Sequence, residues 1–392
     1  MKREDRTMYK FSLYSLSFIF FLSMNNLCRA QTQSYIDVHA LPGTYSTIAL
    51  KPQGYFPVLI ETQTGELISV LRGSAGHIGI KGNLLLIRSK DGGKTWSAPS
   101  VVVDSEWDDR NPALGTLPDG TLILAYHENQ CYDANGKYVP DGPMHAYIRV
   151  LRSIDNGNTW KHLIPDDWKG FGTLQYCSPF GQILAEPNGQ LLLLLYGQPG
   201  LLEKILLPAE KYDTSYLIRS RDTGFNWKQP IKIADGMNET AIVIAPNGDY
   251  LVLMRSTEKQ RIFVSRSTNS GFTWSQPMVI TEPGEHPATA VVLGNGAILL
   301  IFGVRHKPYG IQGVLSFDNG KTWDTTHRII LNDKLTTWDI GYPSAVRRND
   351  GSIVTIYYAT DAPADPYGYA TSRAEVVIIN EKELLEAYAK IK

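Results

Sequence analysis

Side chains that can transfer protons are concentrated where apolar strands of the sequence begin or end. His77 lies among glycines in the segment LRGSAGHIGIKG, just ahead of an apolar strand. An imidazole there could act as a general acid, since its unperturbed pKa is near neutral; the alternative is an exposed loop histidine. Asp108, Asp109 and Arg110 precede an Asn-Pro pair. This acidic pair could supply a proton, or Asp109 and Arg110 could simply neutralise each other.

Two arginines stand at the ends of apolar strands and could bind an anion. Arg255 closes a strand pair that Glu239 opens, and Arg305 follows the strand LLIFGV. Guanidinium groups hold carboxylates through two parallel hydrogen bonds. For Arg255 the structural alternative is an ion pair with Glu239 or Glu258. Because adjacent strand residues face opposite sides, at most one of Arg305 and His306 is expected to point inward.

The elements that must position these residues are repeats of an octapeptide. Its five copies are SKDGGKTW at 89–96, SIDNGNTW at 153–160, SRDTGFNW at 220–227, STNSGFTW at 267–274 and SFDNGKTW at 316–323. The Asp or Asn can bond backbone N–H groups ahead of it, the Gly can take a positive φ, and the Trp can cover the turn. Each copy therefore predicts a turn between two strands.

A second phrase recurs six times, as an apolar strand, a polar-Gly pair and another apolar strand. The Asn-Gly and Asp-Gly pairs at 119–120, 188–189, 247–248, 295–296 and 350–351 are typical of tight β-hairpins. Combined with the octapeptides, these phrases predict an all-β fold: a six-bladed β-propeller of four-stranded antiparallel blades. Residues 44–50 are expected to complete the sixth blade, 367–379 to supply its third strand, and 381–391 to form a short C-terminal helix.

Longer spacing between the first three octapeptides indicates insertions. Residues 128–144 are rich in Gly, Pro, Asn and Asp, and residues 197–214 interrupt a strand pattern. Both segments are predicted to be long loops between strands of a blade, where function is commonly located.

Composition restricts the classes of partner. The 392 residues carry a net charge of -1 with 20% charged residues, so nothing indicates nucleic acid or a membrane-surface patch. No metal-ligand spacing is present, and no cofactor is predicted.

Residues 1–30 are predicted to be a cleaved signal peptide, leaving 31–392 as a single domain. A basic start precedes an apolar run of about 14 residues, shorter than the roughly 20 needed to span a bilayer. Cys28 raises a lipoprotein alternative, but Leu27 is a poor residue before a lipidated cysteine. The mature protein is therefore expected in the periplasm or outside the cell. There, Cys131 and Cys177 could form a disulfide or remain two buried thiols.

The SxDxGxTW turn is the Asp box, and five copies within six hairpin units resemble the sialidase (neuraminidase) superfamily over residues 55–379. The resemblance implies Asp boxes on the outer rim and a functional site on the opposite, central face. Sialidases place there three arginines for the substrate carboxylate, a Tyr nucleophile with a Glu base, and an Asp acid/base. A phenol with a pKa of about 10 needs such a carboxylate to become nucleophilic, an exception among glycosidases.

By position, Tyr342 resembles the nucleophile, because it begins the inner strand of blade six, and Glu239 resembles its base at the start of blade four. Arg255 and Arg305 resemble the second and third arginines. Other strand-start residues that could contribute are His286, Asp339 and Trp338.

This sequence departs from the family pattern in blade one. Phe56 stands where the first arginine is expected, and the loop after the first hairpin contains Arg72 and His77 but no acid. A substitute acid could be His77 or Asp109. Arg72 could contribute to anion binding, as could Arg110 in blade two.

The resemblance implies a secreted, exo-acting glycoside hydrolase that acts on a terminal, acidic or otherwise decorated sugar through Tyr342 and Glu239. One alternative is a different hydrolase, or a lyase, that uses His77 and Tyr342 on uronate- or rhamnose-containing glycans. Another is a noncatalytic glycan-binding propeller, since the superfamily includes binders. In each case the expected partner is a glycan, with no nucleic acid and no stable membrane insertion after signal cleavage.

Overall fold

The structure is a computed structural model of the chain, and it describes residues 34–139, 146–163, 176–198, 206, 213–228, 230–361 and 372–392. The predicted signal peptide and parts of both predicted long loops lie outside these residues.

The described strands form six antiparallel blades, as the sequence predicts. Blade one contains Tyr55–Glu61, Leu67–Gly73, Asn83–Ser89 and Ser100–Val103. Blade two contains Asp108–Thr116, Leu122–Asn129, Ala146–Ser153 and Lys161–His162. Blade three contains Tyr176–Pro179, Gly181–Gln182, Leu184–Ala185, Leu191–Gln198, Thr214–Ser220 and Ile231–Asp235.

The remaining blades are more regular. Blade four contains Met237–Ile244, Tyr250–Ser256, Ile262–Ser267 and Met278–Val279. Blade five contains Glu285–Val292, Ile298–Val304, Tyr309–Ser316 and Asp324–Leu335, with Ser34–Asp37 paired in parallel to its last strand. Blade six contains Gly341–Arg347, Ser352–Thr360, Ser372–Asn380 and, as its outer strand, Tyr45–Leu50.

Ring closure joins the two ends of the described chain. Tyr45–Leu50 pairs antiparallel with Ser372–Asn380, which confirms the prediction for residues 44–50. Side chains of blades one and six also share one apolar cluster, with Leu59 and Leu67 against Val354 and Ile356. Radial repetition of the blades leaves only short, protected sheet edges, so pairing and packing both favour closure.

Blade three departs from the regular pattern, because its inner strand pairs with blade two. Gly181–Gln182 runs parallel to Ala113 and Leu114, and the Ile183 amide donates to the Leu114 carbonyl at 2.9 Å. A Cβ on Gly115 would lie 2.2 Å from the Ile183 carbonyl oxygen. Glycine is therefore required for the two blades to approach this closely.

The Asp boxes form the predicted turns between third and fourth strands. In the first box, the Asp91 carboxylate accepts from the amide and hydroxyl of Thr95 at 2.9 and 2.6 Å, and Ser89 Oγ accepts from the Gly93 amide at 2.8 Å. The box tryptophans pack against the apolar clusters, as Trp96 does between blades one and six. The boxes thus fix turns and fill the gaps between blades.

The C-terminal helix and the two cysteines complete the description of the fold. The predicted C-terminal helix is confirmed at Glu381–Ile391; Asn380 caps it, and Leu384 and Tyr388 are buried. Within the described part of the chain, no helix is both long and apolar enough to cross a membrane. Cys131 and Cys177 are buried thiols that form no disulfide, so the disulfide alternative is not realised.

Strand direction determines which residues can meet. In an antiparallel blade, the start of the first strand and the connection between second and third strands lie on the same face. The Asn-Gly hairpins and the Asp boxes lie on the other face. Chemistry-bearing residues at first-strand starts and second-strand ends are therefore brought to one side of the propeller.

Candidate active site

The first strands begin with an unusual backbone conformation that recurs around the ring. Phe56, Asn111, Glu239 and Tyr342 have φ values of 53°, 48°, 41° and 49°, and each lies where the strand pairing shifts register. Such bulges redirect a side chain away from the regular alternation. Positive φ costs a non-glycine residue on the order of 1 to 3 kcal/mol, so the surrounding packing must hold these conformations.

A cavity of about 320 Å³ opens on this face. Its lining residues are His77, Arg110, Asn111, Tyr196, Glu239, Arg255, Arg305, Trp338 and Tyr342. They come from all blades of the ring or the connections between them, and this volume is near the lower end for small-molecule sites.

The Gln182 side-chain amide donates to the carbonyls of Leu59 at 2.7 Å and Ala345 at 3.1 Å, which ties blade three to blades one and six. A larger hollow of about 430 Å³ beyond Gln182 is lined mostly by aliphatic strand ends. The reactive side chains line the smaller cavity. We therefore place the candidate site there, although the other cavity has the larger volume.

Tyr342 and Glu239 are directly paired in the cavity wall. The Tyr342 hydroxyl donates to Glu239 Oε1, while Arg255 donates to Glu239 Oε2 at 2.8 Å and to Gln260 Oε1 at 2.7 Å. Burial would raise the pKa of Glu239, but the charge of Arg255 and the Tyr342 hydrogen bond outweigh it and lower the pKa. Burial and the Glu239 charge raise the pKa of Tyr342 well above 10. A neutral phenol thus faces an ionised carboxylate that can take its proton.

Arg305 lies beside this pair without a carboxylate partner among the residues described. It is 3.4 Å from the Tyr358 hydroxyl, and its guanidinium carbon lies 5.7 Å from the centroid of the Tyr342 ring. Arg110 lines the cavity from blade two, 3.6 Å from Asp108 and 5.5 Å from the Phe56 ring centroid. Together with Arg255, these side chains surround the cavity with guanidinium groups from three blades.

His77 reaches the cavity from the connection in blade one. Its Nδ1 is 3.2 Å from Asp339 Oδ1, and the side chain is 24% exposed. Burial lowers the pKa of His77, an effect that the hydrogen bond and charge of Asp339 counteract. The ring therefore offers a titratable nitrogen to the cavity.

The model of the BNR repeat-like domain family matches residues 85–356. The chain belongs to the BNR repeat-like family. Similar solved structures are a Dyadobacter fermentans protein of unknown function (22% identity, TM-score 0.70, covering 87% of this chain and 100% of that one) and the Hadza microbial sialidase Hz136 (17% identity, TM-score 0.63, covering 84% and 66%). No curated protein matches the sequence.

A third similar structure is the leech intramolecular trans-sialidase, at 13% identity and a TM-score of 0.64, covering 86% of this chain and 69% of that one. With the six blades and the Asp boxes, these matches show a β-propeller of the BNR repeat-like family. At such identities the solved structures show a shared fold.

Arg72, Asp109 and His286 were considered as site residues from the sequence, but they do not line the cavity of this BNR propeller. Arg72 is fully buried and bonded to Asp108 Oδ1 at 2.5 Å and to the carbonyls of Gly76 and Gly79, so it holds the connection of blade one and does not contact the cavity. Asp109 is buried beneath the strand and accepts from the amide and hydroxyl of Ser105 at 2.8 and 2.9 Å.

His286 begins blade five but is also buried beneath the surface of the BNR propeller. Its Nδ1 has no hydrogen-bond partner among the described residues, and burial, followed by the charges of Arg255 and Arg305, strongly lowers its pKa. Phe56 is buried as well, and its ring contacts Tyr342 and His77 at centroid distances of 4.8 and 5.0 Å. Where an arginine was expected, blade one therefore supplies an apolar support for two reactive side chains.

Two residues of the site, Asn111 and Tyr196, were missed from the sequence. Asn111 has the same bulged position as Glu239 and Tyr342, so aligning the strand starts of the blades could have found it. Tyr196 bonds to the Asn111 amide at 3.2 Å, and no sequence pattern marks it. Within the described residues, no group of three or more His, Cys, Asp or Glu side chains could hold a metal ion.

Proposed function

We propose that this protein is an exo-acting glycoside hydrolase that releases a terminal acidic sugar from glycans. The observation that carries the proposal is the Tyr342 hydroxyl bonded to the Glu239 carboxylate in a cavity that also contains Arg255 and Arg305. This pairing supplies a nucleophile with its own base, next to cations that can hold a carboxylate.

The chemistry proceeds in two steps. Tyr342 Oη attacks the anomeric carbon as its proton passes to Glu239, and the bond to the leaving sugar breaks while His77, as the imidazolium, donates its Nε2 proton to the leaving oxygen. A water then attacks the anomeric carbon of the tyrosyl intermediate, His77 takes a proton from that water, and Glu239 returns the proton to Tyr342. The protein ends each cycle unchanged.

The size and polarity of the cavity support an acidic monosaccharide unit as the group released. The volume of about 320 Å³ suits one terminal sugar. Guanidinium groups on three blades favour an anion, and Arg110 partly replaces the missing arginine of blade one. We propose that the protein acts after export, on glycans in the periplasm or outside the cell.

A lyase is the second candidate, and the His77–Asp339 pair favours it. A neutral imidazole is a base, so it could remove the proton adjacent to a uronate carboxylate while the arginines stabilise the resulting charge. The two reactions leave different products. Hydrolysis adds water across the bond, whereas elimination leaves an unsaturated sugar that absorbs ultraviolet light.

The test is incubation of the mature protein with sialylated, uronate-containing and rhamnose-containing oligosaccharides, with parallel measurement of reducing sugar and ultraviolet absorbance. Release of an acidic sugar without absorbance supports the hydrolase, and it should be lost in Tyr342→Phe and His77→Ala. Release that persists in Tyr342→Phe would overturn the mechanism. Saturable binding of one of these oligosaccharides without product would instead indicate a glycan-binding propeller.

A further inference from the structure

Asp339 is a fully buried carboxylate in the connection that leads into blade six, and three side chains converge on it. Oδ1 is 2.7 Å from the Tyr358 hydroxyl and 3.2 Å from His77 Nδ1, and Oδ2 is 3.3 Å from the Tyr55 hydroxyl. Its backbone carbonyl accepts from the Thr360 hydroxyl at 2.9 Å. Hydrogen bonds therefore hold both the backbone and the side-chain carboxylate of Asp339 in place.

The charge state of Asp339 determines which atom carries the proton in each of its three side-chain hydrogen bonds. Burial alone would raise its pKa, but hydrogen bonding and charge from His77, the Tyr358 bond and the charge of Arg305 together lower it. Burial raises the pKa of both tyrosines, so their hydroxyls remain donors. An ionised carboxylate has no proton to give and can only accept, so the proton between Asp339 and His77 resides on Nδ1.

The His77 ring is also held by aromatic neighbours. It meets the Phe56 and Tyr55 rings edge-on, at centroid distances of 5.0 and 5.7 Å. The charged groups acting on it are Asp339, Arg110 and Arg305. With Nδ1 committed to Asp339, Nε2 is the ring nitrogen available to the cavity that His77 lines.

We infer that Asp339 is the positioning residue for His77: it accepts a hydrogen bond from Nδ1–H, fixes the neutral ring in that tautomer and directs Nε2 toward the bound sugar. This inference rests on the proposed function for its catalytic consequence. An ionised Asp339 also stabilises the imidazolium that forms when Nε2 takes a proton, as buried carboxylates do for histidines in other hydrolases. Phe56, in place of a cation, leaves this electrostatic pairing undisturbed.

The tautomer can be measured without any substrate. Nitrogen NMR of the full chain labelled with 15N-histidine separates a protonated from an unprotonated ring nitrogen, and the signals lost in His77→Gln assign this residue. We expect a protonated Nδ1 and an unprotonated Nε2 in the neutral ring. In Asp339→Asn the fixed tautomer should become mixed or reversed. Tyr358→Phe removes one hydrogen-bond donor to Asp339 but keeps the carboxylate, so His77 should keep the same tautomer in this variant.

Kinetics supply the second readout. Asp339→Asn should lower kcat by about 10² to 10⁴-fold, with a much smaller change in KM, and should move the His77 limb of the pH profile to lower pH. Protonation of Nε2 in the wild type, or an unchanged tautomer and pH profile in a folded Asp339→Asn protein, would overturn the inference. If no glycan is turned over but the tautomer depends on Asp339, the proposed function fails and the positioning role stands.

Discussion

The Tyr342 hydroxyl donates to the Glu239 carboxylate, although 103 residues separate the two along the chain. Both residues occupy the bulged, positive-φ position at the start of an inner strand, in blades six and four. The same local distortion therefore supplies both halves of the pair, and the closure of the ring brings them together.

Tyr342→Phe should reduce kcat/KM by at least about 10³-fold, because the phenyl ring keeps the packing but has no nucleophilic oxygen. Glu239→Gln should lose about 10² to 10⁴-fold, since the amide cannot take the phenol proton. The matched control is Tyr250→Phe, because Tyr250 donates to Glu186 in an equivalent pair outside the cavity. Similar losses in the control variant would contradict an active-site role for the Tyr342 pair.

Arg305→Met should raise KM for an acidic sugar by about tenfold to a hundredfold, as expected for one lost charged hydrogen bond of about 1.5 to 3 kcal/mol. A neutral analogue that lacks the carboxylate should show a much smaller change, and this comparison isolates the anion. Arg261→Met, at an exposed pair with Glu282, is the control. An equal effect on charged and neutral substrates would argue against carboxylate binding.

The pH dependence of hydrolysis should be bell-shaped on the acidic side of neutrality. Activity rises as Glu239 ionises, through a pKa below its usual 4.5. It falls as the His77 imidazolium loses its proton, through a pKa below 6.5. Steady-state kcat/KM from about pH 3 to 8 checks this, with the upper limb absent in His77→Gln. A lyase that uses neutral His77 would instead gain activity as the pH rises through the same range.

Arg72→Met should destabilise the fold without a specific effect on KM. It removes the nearer cation of a fully buried ion pair, so that Asp108 retains only Arg110 at 3.6 Å and the Tyr132 hydroxyl at 2.6 Å. Breaking a buried ion pair typically costs about 3 to 5 kcal/mol. Chemical denaturation measures the loss, with the exposed Lys81→Ala as the control. Normal stability together with a raised KM would restore the substrate-binding role considered from the sequence.

The Asp boxes should contribute stability and no catalysis. Asp91→Ala removes the acceptor for Thr95 and should cost about 1 kcal/mol, whereas Asp91→Asn should cost less, because Asn269 makes the equivalent bonds in the fourth box. Hydrogen bonds from Thr95 lower the pKa of Asp91 to about 2. Its contribution is therefore complete above about pH 4 and lost as the pH falls through 2. An effect on kcat in a fully folded variant would contradict this separation.

Most of the propeller could be predicted because its determinants are local. The octapeptide turns and the Asn-Gly hairpins encode their own backbone geometry, and the strands between them bury both faces. The pairing of blade three with blade two could not be predicted in this way. It depends on the approach of Gly181 to Ala113, two segments that are far apart in sequence.

Prediction of the site was uneven for a related reason. The sequence marked which reactive side chains begin or end strands, but not which of them face the cavity. Arg72 and Asp109 became buried partners of Asp108 and Ser105, while Arg110, one position from Asp109, lines the cavity. Alternation along the strand separates neighbours, and the bulges change that alternation, so burial had to be seen in three dimensions.

By itself, the sequence determined the six blades, the closing outer strand and the presence of a Tyr, a Glu and several arginines at the strand ends. Only the tertiary structure decided that Tyr342 meets Glu239, that Asp339 holds His77, and that Phe56 supports both reactive rings. Turns are encoded by a few consecutive residues, whereas a site on the axis of a ring is the sum of contacts among blades that meet only when the ring closes.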